Sequence, residues 1–205
     1  MVYRTLGKRL LDILLSLIGL AVILPIFLIV VVFIRMDSRG PVFFVQKRMG
    51  RQGRLFSLLK FRTMESDRER EQKGFEPGFS LRVTRVGKLL RRTKLDELPQ
   101  LVNVLKGDMS FVGPRPEVER YRAFYAGRFE NVLSVRPGIT DMASIKYRHE
   151  EKLLAESPNP QSAYQDVILP DKLEMALRYV QGNISLGGDI NIIFKTLLSI
   201  LVRVK

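Results

Sequence analysis

The stretch ILLSLIGLAVILPIFLIVVVFI, Ile13 to Ile34, runs 22 residues without a charge, bounded by Asp12 and Arg35. That is long enough to cross a bilayer core, which takes about 20 apolar residues as a straight helix. Pro25 interrupts it. Proline has no N–H for the carbonyl of Ala21, its ring clashes there, and it biases Leu24 away from helical angles. The halves, 12 residues to Leu24 and 10 from Pro25, are roughly 18 and 15 Å at 1.5 Å per residue, too short to span singly.

Two arrangements are open. Arg4, Lys8 and Arg9 precede the stretch and Arg35, Arg39, Lys47, Arg48, Arg51 and Arg54 follow it, so a basic flank on each side sets no orientation. A hairpin entering and leaving by one face keeps both flanks in the cytoplasm, with Ser16 a helper for the backbone groups that the kink frees. A proline-kinked spanning helix is the ordinary alternative, and the residues alone favour it. A cleaved signal peptide fits poorly, because the apolar run is too long and RMDSRG after it offers no small-residue cleavage site.

Beyond the stretch, about 170 residues suffice for one domain with its own core. With 34 Lys plus Arg against 21 Asp plus Glu, the formal charge is +13. Such an excess suits nucleic acid, an anionic membrane face or a phosphorylated substrate, and an apolar N-terminal stretch ranks nucleic acid last. The absence of cysteine excludes disulfides, thiol catalysis and Cys-based zinc sites, and His149, beside Glu150 and Glu151, reads as a solvated surface residue.

Val42–Gln46 and Leu55–Phe61, separated by KRMGRQGR, read as a β-hairpin whose Gly50 and Gly53 can supply positive φ. Lys60 and Arg62 share a face if the strand continues. The charged segment Glu65–Phe79 reads as a surface loop. Val86, Leu89 and Leu90 have helical spacing. Thr93 can cap a second helix with Leu95, Leu98, Leu101, Val102 and Leu105 on one face and Pro99 in its first turn. Asp96 and Glu97 then stand at a helix N-terminus after several basic residues. An isolated acidic pair there merely complements the helix dipole. Here GDMSFVGPRPE adds Arg115 framed by Pro114 and Pro116, a guanidinium pre-set for bidentate phosphate binding. Two carboxylates, several arginines and no reactive His or Cys suit phosphoryl transfer, with an Asp as nucleophile or Mg²⁺ ligand.

FFVQKRMGRQGRLFSLLKFRTM, KLDELPQLVNVLKGDMSFVGPRPE and VRPGIT, in that order, resemble the bacterial sugar transferases. More closely the chain is similar to the small monotopic polyprenyl-phosphate phosphoglycosyl transferases. The resemblance implies transfer of a phospho-sugar from a UDP-sugar to undecaprenyl phosphate, with Mg²⁺ and release of UMP, as the first membrane step of glycoconjugate biosynthesis. It implies Asp96 as nucleophile and metal ligand, Glu97 as its acidic partner assisting the lipid phosphate, and Arg115 as phosphate ligand. Lys60, Arg62, Arg91 and Arg136 are further phosphate or nucleotide candidates. Asp171 of the PDKL segment joins them by the resemblance, though an ordinary helix-start residue is its simpler reading. Asp141 stands where many relatives carry Gly, a departure that bears on the sugar rather than the chemistry.

The expected architecture is α+β and predominantly helical. A re-entrant membrane helix–turn–helix breaking near Leu24 and Pro25 occupies residues 1–36, and a cytoplasmic catalytic domain with a small β-hairpin and amphipathic interfacial helices occupies 37–205. Glu117–Tyr125 reads as a helix, Val135–Thr140 as a turn, and a helix opens at Leu169 and runs through Tyr179. In the C-terminal stretch Ile190–Lys205, Asn191, Lys195, Ser199 and Arg203 form a narrow polar stripe, which suits either a core helix or one lying against inner-leaflet phospholipid. Location at the bacterial inner membrane, facing the cytoplasm, follows from the resemblance. A non-catalytic scaffold of polysaccharide export would have no use for Asp96 and Glu97 beside Arg115. A nucleic-acid binder would interleave aromatics with its basic patch, whereas here they lie in apolar runs.

Overall fold

The computed structural model describes residues 3–65 and 83–201. Most of the expected loop after Glu65 and the stripe residue Arg203 lie outside them. Helix α1 (Lys8–Asp37) is uninterrupted, with Pro25 inside it. The turn expected at Leu24 and Pro25 is therefore not there. A proline deletes one hydrogen bond, and helix propagation on either side carries the backbone through. Ser16 does not serve the kink: its hydroxyl is buried without a hydrogen-bond partner among the described residues.

Both ends of α1 are fastened to the same folded unit. At the start, Lys8 and Tyr3 donate to Asp189, Arg9 donates to the Val104 and Leu105 carbonyls at 2.6 and 2.8 Å, and Asp12 Oδ1 accepts from Ser110 Oγ and Phe111 N, both at 3.0 Å. At the finish, Asp37 accepts from Val86 N at 2.8 Å, and Arg62 donates to the Arg39 and Ser38 carbonyls at 2.9 and 2.7 Å. The buried residues Asp12, Ser16, Val30 and Ile34 recur at multiples of about 3.6 and mark one packed stripe. Most other large apolar residues of α1, such as Leu14, Leu17, Val22, Leu28 and Val32, are exposed.

Strands β1 (Phe43–Met49) and β2 (Leu55–Phe61) pair antiparallel, Phe44 opposite Lys60. In their turn Gly53 takes a φ of 69° and Gln52 one of 58°, while Gly50 stays extended. Phe27 of α1 packs on Phe43 and Phe61, ring centroids 5.9 and 4.6 Å apart, joining the hairpin to α1.

Helix α2 (Arg85–Thr93) is capped by Thr84, which accepts from Gly87 N, and α3 (Gln100–Lys106) follows a short turn, Leu95–Glu97. Thr93 ends α2 instead of capping the next helix. Its hydroxyl bonds back to the Leu89 carbonyl at 2.8 Å, the ordinary fate of a threonine in a last helical turn. A second sheet, unforeseen, pairs β3 (Ser110–Val112) in parallel with β4 (Gly138–Thr140). Gly113 and Gly138 pass so closely that a Cβ on Gly138 would stand 2.1 Å from Gly113 N.

Segments 119–125 and 127–134 are 3₁₀ turns, the first where an α-helix was expected. Two short helices follow, α4 (Met142–Lys146) and α5 (Glu150–Ala155), with His149 exposed at the start of the latter. A wider helical turn, Ala163–Ile168, leads into α6 (Leu169–Arg178). Leu169, Leu173, Ala176 and Leu177 of α6 form the largest core with Tyr121, Tyr125 and Tyr164. The last helix, α7 (Leu186–Leu201), buries Asp189 and Ile192 yet exposes Leu186, Ile190, Phe194, Leu197 and Leu198.

Candidate active site

The dyad sits where the chain reverses between α2 and α3. Lys94 makes the reversal with a φ of 59°, and Asp96 and Glu97 follow on a single 3₁₀ turn before the buried Pro99 opens α3. Asn103 of α3 ties this corner to the hairpin: its amide oxygen accepts from Leu59 N at 3.0 Å and its nitrogen donates to the Ser57 carbonyl at 2.8 Å. Lys60, one residue along β2, thereby reaches the turn. Its ammonium donates to Glu97 Oε1 at 2.8 Å, and Arg115 Nη2 donates to the same oxygen at 3.2 Å.

Arg115 is held from all sides. Gly113 N donates to the Thr140 carbonyl at 3.1 Å, Gly138 N to the Pro114 carbonyl at 2.9 Å and Met49 N to the Glu117 carbonyl at 2.9 Å. Arg48 donates to the Pro116 carbonyl at 3.1 Å, and Arg115 N donates to Asp141 Oδ2 at 3.1 Å. Behind it lies a buried ionic group in which Glu117 pairs with Arg48 at 3.7 Å and with Lys172 at 3.9 Å, while Lys172 also pairs with Glu150.

Asp96 is 8 % exposed, and its Oδ1 is buried with no hydrogen-bond partner among the described residues. Burial pushes its carboxyl above the usual range, and the neighbouring Glu97 adds to this against the opposing pull of Lys60, Lys94 and Arg91. Glu97 goes the other way. Burial alone would raise it, but Lys60, Arg115 and Lys94 together hold it well below the usual carboxylate range. Glu97 in turn raises Arg115, while burial lowers Lys60 despite the carboxylate beside it. Two carboxylates one residue apart are thus driven in opposite directions, the pattern expected where they have different tasks.

The other candidates are distributed less tightly. Arg91 contributes charge to Asp96 but is anchored to Thr63 Oγ1 at 2.9 Å and Glu151 at 2.8 Å. Arg62 fastens the exit of α1. Arg136 donates to the Gly107 carbonyl at 2.8 Å, at the far end of α3 from the dyad. Asp171 accepts from Lys146 and Tyr147, both at 2.7 Å, and it is its neighbour Lys172 that enters the group behind Arg115. Sequence reasoning missed Lys172, Lys94 and Arg48. Lys172 adjoins a motif residue, but nothing in the spacing signals its burial.

The residues fit a magnesium ion in one respect. Mg²⁺ is usually held by one or two carboxylates together with substrate phosphates, and the unpartnered Asp96 oxygen is such a donor. No group of three acidic or histidine ligands occurs among the described residues, so a fully protein-built metal cage is not what this corner offers.

The profile of the family described as Bacterial sugar transferase matches residues 3–203. A UDP-N-acetylgalactosamine-undecaprenyl-phosphate N-acetylgalactosaminephosphotransferase from Aeromonas hydrophila is 38 % identical over 95 % of the chain, which spans 43 % of that protein's length. An exopolysaccharide production protein ExoY from Sinorhizobium fredii is 34 % identical over 93 % of the chain and 84 % of its own length. A UDP-glucose:undecaprenyl-phosphate glucose-1-phosphate transferase from Caulobacter vibrioides is 40 % identical over 69 % of the chain and 54 % of its own length. With its residues from α1 to α7 covered by that one profile, the chain belongs to the bacterial sugar transferase family.

Proposed function

We propose that the protein moves a sugar 1-phosphate from a UDP-sugar onto undecaprenyl phosphate at the cytoplasmic face of the inner membrane, releasing UMP. The observation that carries this reading is the buried Asp96 oxygen, without a partner among the described residues, beside a carboxylate clamped between Lys60 and Arg115. The names of the Aeromonas and Caulobacter relatives supply the substrate classes.

An Asp96 oxygen attacks the β-phosphorus of the donor. The bond from that phosphorus to the bridging oxygen breaks, and UMP leaves with the electron pair. An oxygen of undecaprenyl phosphate then attacks the phosphorus held on Asp96, freeing the carboxylate and giving the lipid diphosphate-sugar. A carboxylate approaches an anionic pyrophosphate only where charge is screened. Lys60, Lys94 and Arg115 do so, and Glu97 keeps Lys60 and Arg115 converged on one oxygen. When bound, Mg²⁺ would be held by Asp96 and the donor phosphates and neutralise further charge.

The fastening of both ends of α1 supports a course that keeps them on one side of the membrane, although no turn separates the halves of the helix. Its two ends bond to one folded unit, whereas a perpendicular crossing would carry them to opposite sides of about 30 Å of hydrocarbon. α7 fits the same face: its exposed apolar stripe suits phospholipid, with the exposed Asn191 and Lys195 at the water edge.

The test is UMP release from a panel of UDP-sugars with undecaprenyl phosphate and Mg²⁺. We expect Asp96→Asn to abolish it and donor alone to leave a phospho-sugar adduct on the wild type by intact mass. Full activity in Asp96→Asn would sink the nucleophile assignment. Activity without an adduct would replace the two-step scheme by direct transfer.

A further inference from the structure

Asp141 takes no part in the chemistry above, yet it is buried at 6 % exposure with both carboxylate oxygens engaged. Oδ1 accepts from Ser144 N at 2.7 Å and caps α4, and Oδ2 accepts from Arg115 N at 3.1 Å. The other tethers of the loop act on Gly113, Pro114, Pro116 and Glu117, so among these bonds Asp141 is the one that grips the backbone of Arg115 itself. Its own place is fixed by the neighbouring Gly113–Thr140 bond and by the close passage of Gly113 against Gly138.

We propose that Asp141 is a positioning residue: by anchoring the Arg115 amide to the start of α4, it sets where the guanidinium stands between Glu97 and the donor phosphates. The proposal rests on the reading of Arg115 as a phosphate ligand. Two backbone donors converge on one side chain from different segments, and a carboxylate has an acceptor oxygen for each. A side chain with one acceptor can cap α4 or hold Arg115, but not both. Because the Pro114–Arg115–Pro116 frame transmits a backbone displacement directly to the guanidinium, loss of one bond reaches the site without loss of the fold. A shift of about 1 Å in a group that positions substrate can cost on the order of a hundredfold in rate.

Serine caps helices about as well as aspartate, so Asp141→Ser keeps the α4 cap and releases Arg115. We expect its melting temperature in detergent to match the wild type, with UDP affinity by calorimetry and kcat/KM for the donor falling on the order of ten- to a hundredfold. Introduced into Arg115→Ala, the same change should cost nothing further, because the group it positions is gone. Should Asp141→Ser fail to fold, Asp141→Asn serves: its amide oxygen keeps the cap while its NH₂ opposes the Arg115 N–H. Wild-type UDP affinity and turnover in the single variant overturn the proposal. An equal loss in the Arg115→Ala background also overturns it, since the effect then runs through α4 alone. Unchanged UDP affinity and turnover in Arg115→Ala overturn the phosphate role of Arg115, and that result is read before Asp141 is touched.

Discussion

Lys94 holds a left-handed backbone with a side chain on it, at a φ of 59°, one residue from the dyad turn. For an ordinary residue that conformation costs roughly 1–2 kcal/mol, and a β-branched residue adopts it worst. Lys94 already bears that cost, so Lys94→Val should lower stability only by the further strain of a β-branched side chain and displace the dyad, whereas Lys94→Gly should relieve the strain and keep the turn without the charge. Thermal unfolding and UMP release, measured together, separate the two effects.

The dyad also makes opposite demands on pH. Glu97 is depressed in the folded protein, so its contribution to stability is present above its ordinary value of 4.5 and is lost as pH falls below it. Glu97→Gln should flatten the fall in melting temperature across that acid range. Asp96 is raised, so what it contributes is present below its ordinary value of 3.8 and lost as pH rises through the folded value. Near neutral pH its buried charge is a liability, and Asp96→Asn should melt higher than wild type while releasing no UMP. A variant that melts lower would contradict the burial argument.

Among the elements, α2 is the one on which the site leans hardest, and its seat is narrow. A Cβ at Gly87 would lie 2.1 Å from the Thr63 carbonyl oxygen, and both residues are backbone-locked, Thr63 also receiving Thr84 N at 3.0 Å. Gly87→Ala should consequently cost about 1–3 kcal/mol or more and loosen Arg91 from Thr63, measurable as a lower melting temperature with reduced turnover. Helices α2 and α3 were legible because their apolar positions repeat at helical spacing, and the hairpin because two apolar runs flank a glycine-bearing turn, whereas α4 and α5 are too short to show a period. The β3–β4 pair was not: SFV and GIT are too short to show alternation, and their pairing depends on two glycines 25 residues apart, Gly113 and Gly138. Thr93 was misplaced because the same residue type can start one helix or finish another, and only the left-handed Lys94 decides between them.

At the scale of the whole molecule, the apolar surface left exposed is concentrated on α1, the start of β1 and α7. Labels placed near Tyr3 and near Ser38 should report the same side of the membrane, and labels on opposite sides would restore a spanning α1. The motifs named Glu97 and Arg115 separately, and the fold brings them within a hydrogen bond of each other. Arg62 and Arg136 were read as phosphate or nucleotide candidates, and a motif gives no sign of the backbone carbonyls to which the fold also ties them.

The exit of α1 bears on how far this protein can be taken apart. Asp37 supplies the Val86 amide with its acceptor, and the carbonyls of Ser38 and Arg39 occupy Arg62. A shortened chain beginning after residue 39 would lose more than its hold on lipid. It would leave α2 with a bare amide, Arg62 without the Ser38 and Arg39 carbonyls, and the corner bearing Asp96 without its buttress. The anchor is thus no removable module, and deleting it to gain solubility should yield a protein that is soluble only to the extent that it is unfolded.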